Sequence, residues 1–141
     1  LAYCINTITK SMGAADFLLG VCESWMTPAL FLSVTFIAGA VISFFTGSSW
    51  GTFAICMPIA LPLAFNMSGG ELNPIVVAVF AAVAGGGVFG DHCSPLSDTT
   101  ILSSLGAGSD HLAHTKTQLP YALICGGIAV IGYLILGFVA G

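Results

Sequence analysis

Long apolar runs occupy most of this chain of 141 residues and strongly limit the folds open to it. The runs cover residues 29–45, 53–65, 75–89 and 119–139. Only 6% of the residues are charged, whereas a soluble domain usually carries about 25% charged residues. We therefore predict an integral membrane protein whose surroundings are the lipid bilayer.

The length and glycine content of the chain indicate the fold class. A bilayer core of about 30 Å needs roughly 20 helical residues, so the chain has room for about four spans. Its 18 glycines suit closely packed membrane helices, whereas strands of a membrane barrel alternate apolar and polar residues over roughly 10 positions. We predict an all-α, polytopic bundle of transmembrane helices.

The scarcity of other signals excludes several classes of protein. Two basic residues form no basic patch, so we expect no nucleic-acid partner. Five cysteines lie far apart without a CxxC pair, which argues against a disulfide framework and a zinc ribbon. No nucleophile elbow surrounds the polar residues. We predict that the chain is not an enzyme and needs no cofactor.

Two polar interruptions lie about 45 residues apart in the apolar sequence, at 46–52 and at 90–100. The run that follows the first interruption, 53–65, contains Pro58 and Pro62 and is only about 13 residues long, or ~20 Å. It predicts a half-helix or one arm of a re-entrant hairpin. Irregular backbone at bilayer depth must be buried in protein or line a cavity. In secondary transporters such paired interruptions mark the site for substrate and coupling ion.

The second interruption contains two carboxylates, Asp91 and Asp98, in apolar surroundings. Ionisable groups inside a membrane are costly, and a role in an ion pathway is the first hypothesis for them. Pro95 has no N–H and its ring collides with the carbonyl of Asp91, so a helix must kink or break here. Carboxylates and freed carbonyls are hard oxygen ligands for Na⁺. We predict a Na⁺ site at Asp91 and Asp98.

The same carboxylates can also carry protons. Removal from water favours the neutral form of a carboxyl group, whereas a bound cation favours the ionised form. Na⁺ and H⁺ then compete for one group, which is the physical basis of exchange. Hydroxyl groups in the two interruptions are candidate supporting ligands: Ser94, Ser97, Thr99, Thr100, Ser48, Ser49 and Thr52.

Three further assignments leave alternatives open. Ser97 is equally suited to cap the helix that restarts there. His92 is either a proton relay or a hydrogen-bonded spacer that holds Asp91. Residues 106–117 predict a polar loop, in which His111 and His114 are better explained as interfacial residues than as a metal or pH-sensing patch.

The residues 89–104, FGDHCSPLSDTTILSS, resemble the signature of the NhaC-type sodium/proton antiporter family. The segments TGSSWGT at 46–52 and TQLPYA at 117–122 also resemble that family's pattern. The resemblance covers residues from about 27 to 141 and, more weakly, the first 26. It implies a multi-pass carrier of the inner (plasma) membrane, similar in architecture to one half of an ion-transporter-superfamily protein with inverted repeats.

The domain organisation follows from this resemblance and from the start of the chain. Residues 1–26 mix polar and apolar positions and predict an interfacial helix or the end of an earlier span, before an antiporter core at 27–141. The chain opens without Met or a signal peptide, and four spans are few for a transporter. We predict a single membrane domain, 1–141, that is the C-terminal fragment of a carrier and whose partner is the missing N-terminal repeat.

The functional prediction is a segment of a secondary active transporter for Na⁺/H⁺ antiport. In it, Asp91 and Asp98 alternately bind the cation and the proton. Two alternatives stay open: a Na⁺- or H⁺-coupled exchanger of a small organic acid or amino acid, and a non-transporting membrane fragment.

Overall fold

The computed structural model describes residues 27–140 continuously, together with residues 4, 7, 8, 11–13, 17 and 20. Within 27–140 the chain forms five helices: α1 (Pro28–Thr46), α2 (Ser49–Met67), α3 (Pro74–Cys93), α4 (Asp98–Gly106) and α5 (His111–Ala140). The described residues contain no strand, so the all-α prediction is confirmed. The segment predicted as interfacial, 1–26, lies mostly outside the described residues.

Four of these five helices, α1, α2, α3 and α5, are long and apolar enough to cross a membrane. The exception is α4, which has 9 residues. By length and composition, the described part of the chain is a bundle of membrane-spanning helices with one short helix between the last two spans.

Local sequence signals begin two of the spans. Thr27 accepts a hydrogen bond from the backbone N–H of Leu30, and Pro28 fills the first position of α1. Asn73 accepts from the N–H groups of Ile75 and Val76 at the start of α3. Side chains of this type satisfy the N–H groups that have no partner in the first turn of a helix.

The structure corrects two predicted boundaries. The run at 53–65 belongs to a helix of 19 residues, because Ser48 caps α2 and neither Pro58 nor Pro62 ends it. Prolines are tolerated inside membrane helices where neighbouring groups satisfy the freed backbone. The predicted loop at 106–117 is also wrong, since α5 already begins at His111. The Asp110 carboxylate accepts from the N–H of Ala113 at 2.9 Å and caps that helix.

Helix α3 lies in the middle of the bundle and contacts all four other helices. Its apolar half packs against α1 and α2 around Leu32, Ala64 and Val79, none of which is exposed. Near the C-terminal end of α3, its backbone packs directly against the backbone of α1. A Cβ at Gly90 would collide with the carbonyl oxygen of Ala40. Small residues of this kind let membrane helices approach closely, and here they fix the second interruption against α1.

Candidate ion site at two facing helix breaks

The two predicted interruptions exist as short breaks that meet in space. The first is confined to Gly47 and Ser48, between α1 and α2, and the second to residues 94–97, between α3 and α4. Gly47 has φ +65°, and a Cβ at this position would lie 2.7 Å from the carbonyl oxygen of Leu96. The first break therefore packs directly against the second. Both are narrower than the sequence predicted, so Asp91 lies in the last turn of a helix.

Pro95 explains why α3 stops. The residue before a proline is driven out of the α region, and Ser94 has extended backbone with φ −73° and ψ 131°. The N–H of Ser94 turns back to the carbonyl of Asp91 at 3.1 Å. Ser97 is again extended, with φ −69° and ψ 134°, before α4 begins at Asp98. The kink or break expected at this proline is a complete break of four residues.

Two serine hydroxyls fasten the C-terminal end of α3 to α1. Ser94 is fully buried, donates to the carbonyl of Phe44 at 2.6 Å, and accepts from the N–H of Leu96 at 3.1 Å. Ser43 on α1 donates in the opposite direction, to the carbonyl of Gly87, also at 2.6 Å. Ser43 could not be predicted as a contact residue, because a lone serine in an apolar run carries no signal of its partner.

The two carboxylates lie in different environments on either side of the second break. Asp91 is half-buried in the last turn of α3, and Asp98 is exposed in the first turn of α4. One carboxylate oxygen of Asp91, Oδ1, is buried without a hydrogen-bond partner. Within the described part of the chain it is the only buried side-chain oxygen or nitrogen in this condition. The site therefore contains one carboxylate oxygen that can accept a hydrogen bond or bind a cation and has no partner in the protein.

The carbonyls near the break already accept hydrogen bonds from the protein. The carbonyl of Asp91 accepts from the N–H of Ser94, and that of His92 accepts from the Thr100 hydroxyl at 3.4 Å. The carbonyl of Pro95 receives the Nε2–H of His111 at 2.7 Å. These three carbonyls, which the break was expected to free, are thus engaged by donors from the break, α4 and α5.

The remaining candidate hydroxyls form two separate sets. Ser97 and Thr99 share a hydrogen bond of 2.7 Å between their hydroxyls, so Ser97 stands at the start of α4 without capping it through its side chain. In the first break, Ser48 accepts from the N–H of Gly51, and the Thr52 hydroxyl donates to the carbonyl of Ser48 at 3.0 Å.

The two sets are not joined through the carboxylates. Among the described residues, no hydrogen bond links Ser48, Ser49 or Thr52 to Asp91 or Asp98. The described residues also contain no group of three or more His, Cys, Asp or Glu side chains that could hold a metal ion. The oxygen donors near the two breaks are therefore hydroxyls and individual carboxylates, a set that suits a weakly held, hard cation.

The ring of His92 makes its hydrogen bond to α5. Its Nε2 lies 2.7 Å from the side-chain nitrogen of Gln118 on α5. From the sequence, Gln118 was noted only within the segment 117–122 that resembles the family, without a role of its own, and His111 was predicted to lie in a loop. Both residues bond to partners that are distant in the sequence, so no local pattern shows their contacts before the fold is known.

The chain combines apolar helices, two facing helix breaks and a carboxylate with a buried oxygen that has no hydrogen-bond partner. This combination is typical of a membrane transporter for small ions. Residues 1–138 match the Na⁺/H⁺ antiporter family, and the chain belongs to that family. The resemblance noted in the sequence is confirmed. The family is one of transporters and not of enzymes.

Several relatives match most of the chain. It is similar to the malate-2H⁺/Na⁺-lactate antiporter of Bacillus subtilis, with 34% identity over 81% of this chain and 23% of the relative. It is 30% identical to the arginine/ornithine antiporter ArcD of Halobacterium salinarum, over 91% of this chain and 25% of the relative. Identity to the Na⁺/H⁺ antiporter NhaC of Alkalihalophilus pseudofirmus is 32%, over 89% of this chain and 26% of the relative.

The chain spans about a quarter of the length of these relatives. No solved structure matches it.

Proposed function

We propose that this chain is a segment of a secondary active transporter that exchanges Na⁺ for H⁺ across the plasma membrane, with Asp91 and Asp98 alternately binding the cation and the proton. The buried Oδ1 of Asp91, which has no hydrogen-bond partner, carries this proposal. A buried acceptor left unsatisfied costs about 1–3 kcal/mol, and more when it is charged. Binding of either a proton or Na⁺ removes that cost, so the two ions compete for the same oxygen.

Asp98 is the second carboxylate of the proposed site. It is exposed in the described chain and stands beside the break rather than inside the helix packing. In transporters with inverted repeats, the ion site lies at the interface between the repeats. We propose that an N-terminal repeat of the same carrier covers Asp98 and completes the site.

The hydroxyls of the second break are the proposed neutral ligands. A hydroxyl that donates its proton to a carbonyl keeps lone pairs for a cation. Ser94 and Thr100 donate to carbonyls in this way, and in the Ser97–Thr99 pair one hydroxyl donates to the other. All four residues lie between the two carboxylates in the sequence or directly after them. The hydroxyls near the first break belong to the proposed site only because the two breaks are in contact. They are those of Ser48, Ser49 and Thr52.

Replacement of Asp91 tests the proposal. In the complete carrier, Asp91→Asn removes the charge and the titratable proton while it keeps the shape of the side chain. We expect Na⁺-driven proton movement in membrane vesicles, followed with a pH-sensitive dye, to fall to the level of vesicles without the carrier. Asp98→Asn tests the second carboxylate separately, and we expect a smaller loss with weaker apparent Na⁺ affinity.

Asp110→Asn is the matched control for both variants. Asp110 caps α5 from outside the breaks, and asparagine caps helices equally well. We expect normal exchange in this variant. Normal pH-dependent Na⁺ exchange by Asp91→Asn would remove Asp91 from the mechanism.

The names of two relatives favour a second candidate function, coupled exchange of a small organic solute. One relative is an antiporter of malate and lactate, and another exchanges arginine for ornithine. In that case the aspartates bind only the driving ion. Vesicles loaded with malate, lactate, arginine or no solute distinguish the candidates: exchange of Na⁺ for H⁺ without any organic solute supports the first, and a strict need for one supports the second.

A further inference from the structure

The N-terminal part of α5 supplies two side chains to the second break. His111 and Gln118 are seven residues apart, which places them about two turns from each other on one face of the helix. Each donates to a backbone carbonyl on the other side of the contact, those of Pro95 and His92. These are carbonyls that an unbroken helix would have satisfied internally.

His111 ties together three elements. The carbonyl of Pro95 can only accept, so the ring Nε2, at 2.7 Å, must carry a hydrogen and donate it. The other ring nitrogen, Nδ1, lies 3.3 Å from the hydroxyl of Ser104, which is fully buried on α4. The imidazole therefore holds the break and α4 against the first turn of α5.

Gln118 holds both the backbone and the ring of His92. The carbonyl of His92 lies 3.2 Å from the side-chain nitrogen, and since a carbonyl accepts only, the amide must present its NH₂ group here. The same nitrogen lies 2.7 Å from Nε2 of His92, which must then be the accepting nitrogen. The hydrogen of a neutral His92 ring is consequently on Nδ1. This bond fixes the residue directly after Asp91.

We propose that His111 and Gln118 are positioning residues for the ion site, which hold the last turn of α3 and the break in the arrangement that presents Asp91. Removal of His111 leaves the Pro95 carbonyl without its donor, and an unsatisfied carbonyl is costly in a membrane. Removal of Gln118 leaves the His92 ring without its partner and its carbonyl with only the longer bond from Thr100, so loss of either side chain favours rearrangement of the break. The proposal rests on the proposed function, because Asp91 is taken as the ion-binding group.

Cys93 provides a readout that does not depend on transport. It lies between the two residues held by these bonds and is 3% exposed. Thiol reactivity depends on exposure, so the rate of labelling with N-ethylmaleimide measures opening of the break. The experiment uses the complete carrier with every other cysteine replaced by alanine, including Cys4, Cys22, Cys56 and Cys125.

We expect His111→Ala and Gln118→Met each to raise the labelling rate about fivefold, as loss of one hydrogen bond predicts. His111→Gln retains an N–H donor and should stay within about twofold of the parent. Two controls alter the same turns of α5 without touching the break. Thr117→Val removes a hydroxyl that bonds only within α5, and His114→Ala removes a ring without a hydrogen bond in the described part of the chain. Equal rates in His111→Ala and His111→Gln would overturn the proposal, as would unchanged rates in both loss variants.

Transport kinetics distinguish a positioning role of these two residues from a loss of folded carrier. We expect His111→Ala and Gln118→Met to raise the KM for Na⁺ about fivefold while the maximal rate per folded carrier stays within about twofold. A purely structural role would lower the maximal rate through the amount of folded carrier and leave KM unchanged. If the parent carrier exchanges no Na⁺ for H⁺, the proposed function fails, whereas the labelling result still decides the role of α5.

Discussion

The two helix breaks face each other but are satisfied in different ways. The first, Gly47 and Ser48, is closed by local bonds: the N–H of Gly47 returns to the carbonyl of Ser43, and Ser48 caps the helix that follows. The second, 94–97, depends on distant partners, with a bond from Ser94 to Phe44 on α1 and one from His111 on α5. Movement of neighbouring helices therefore acts on the second break more directly than on the first.

Charge follows the same division. The first break contains no ionisable residue, whereas Asp91, His92 and Asp98 flank the second and His111 bonds to it. The first break forms a wall against the second, because a Cβ added at Gly47 would lie 2.7 Å from the carbonyl oxygen of Leu96. Under the proposed function, the first break holds the geometry, while the second break carries the carboxylates that bind the ions.

Alanine at Gly47 is the strongest test of the wall. Gly47→Ala adds a Cβ at positive φ and pushes it to 2.7 Å from the carbonyl oxygen of Leu96. We expect a loss of about 2–4 kcal/mol in the free energy of unfolding, from about 1 kcal/mol of backbone strain and about 1–3 kcal/mol of overpacking. Unfolding of the carrier by SDS titration in mixed micelles measures this change in free energy.

Gly69→Ala is the matched control for this effect. Gly69 has φ +69°, close to the value at Gly47, but a Cβ there would meet no atom within 4 Å. We expect only the strain component, about 1 kcal/mol. Equal losses for the two glycines would mean that contact between the breaks contributes nothing to stability.

The positions of the breaks could be predicted because local residues cause them. Pro95 excludes the helical conformation at Ser94, and Gly47 adopts a conformation that other residues avoid. The start of α1 at Thr27 and Pro28 has the same kind of local cause, since a cap and a proline act on the next few residues.

The remaining features depend on contacts that local patterns do not encode. His111 reaches Pro95 across 16 residues, and Gln118 reaches His92 across 26. A histidine in a polar stretch predicts a loop until a partner is known, and the cap at Asp110 that begins α5 resembled any acidic loop residue. The roles of Asp91 and Asp98 as ion ligands stay predictions, although the unsatisfied oxygen of Asp91 agrees with the reason for choosing it.

Ser94 tests the dependence of the second break on α1. Ser94→Ala removes the donor to the carbonyl of Phe44 and the acceptor for the N–H of Leu96, both in a buried position. We expect a loss of about 1–3 kcal/mol in the free energy of unfolding, because buried polar groups are left without partners. The same titration of Ser103→Ala, an exposed serine that bonds only within α4, should show a loss of at most about 0.5 kcal/mol. If Ser94→Ala lost no more stability than Ser103→Ala, the second break would be closed by local bonds, as the first is.

Substitutions of Ser48 are expected to have the smallest effect on the free energy of unfolding. They distinguish helix capping from ion binding at the first break. Ser48→Ala removes the acceptor for the N–H of Gly51, and we expect a loss of about 1 kcal/mol in the free energy of unfolding. Ser48→Asn keeps a capping oxygen, so its stability should lie within about 0.5 kcal/mol of the parent. If Ser48 only caps α2, both variants keep the parent KM for Na⁺. A higher KM in both, with stability retained in Ser48→Asn, would give the first break a share of the ion ligands and end the division between wall and site.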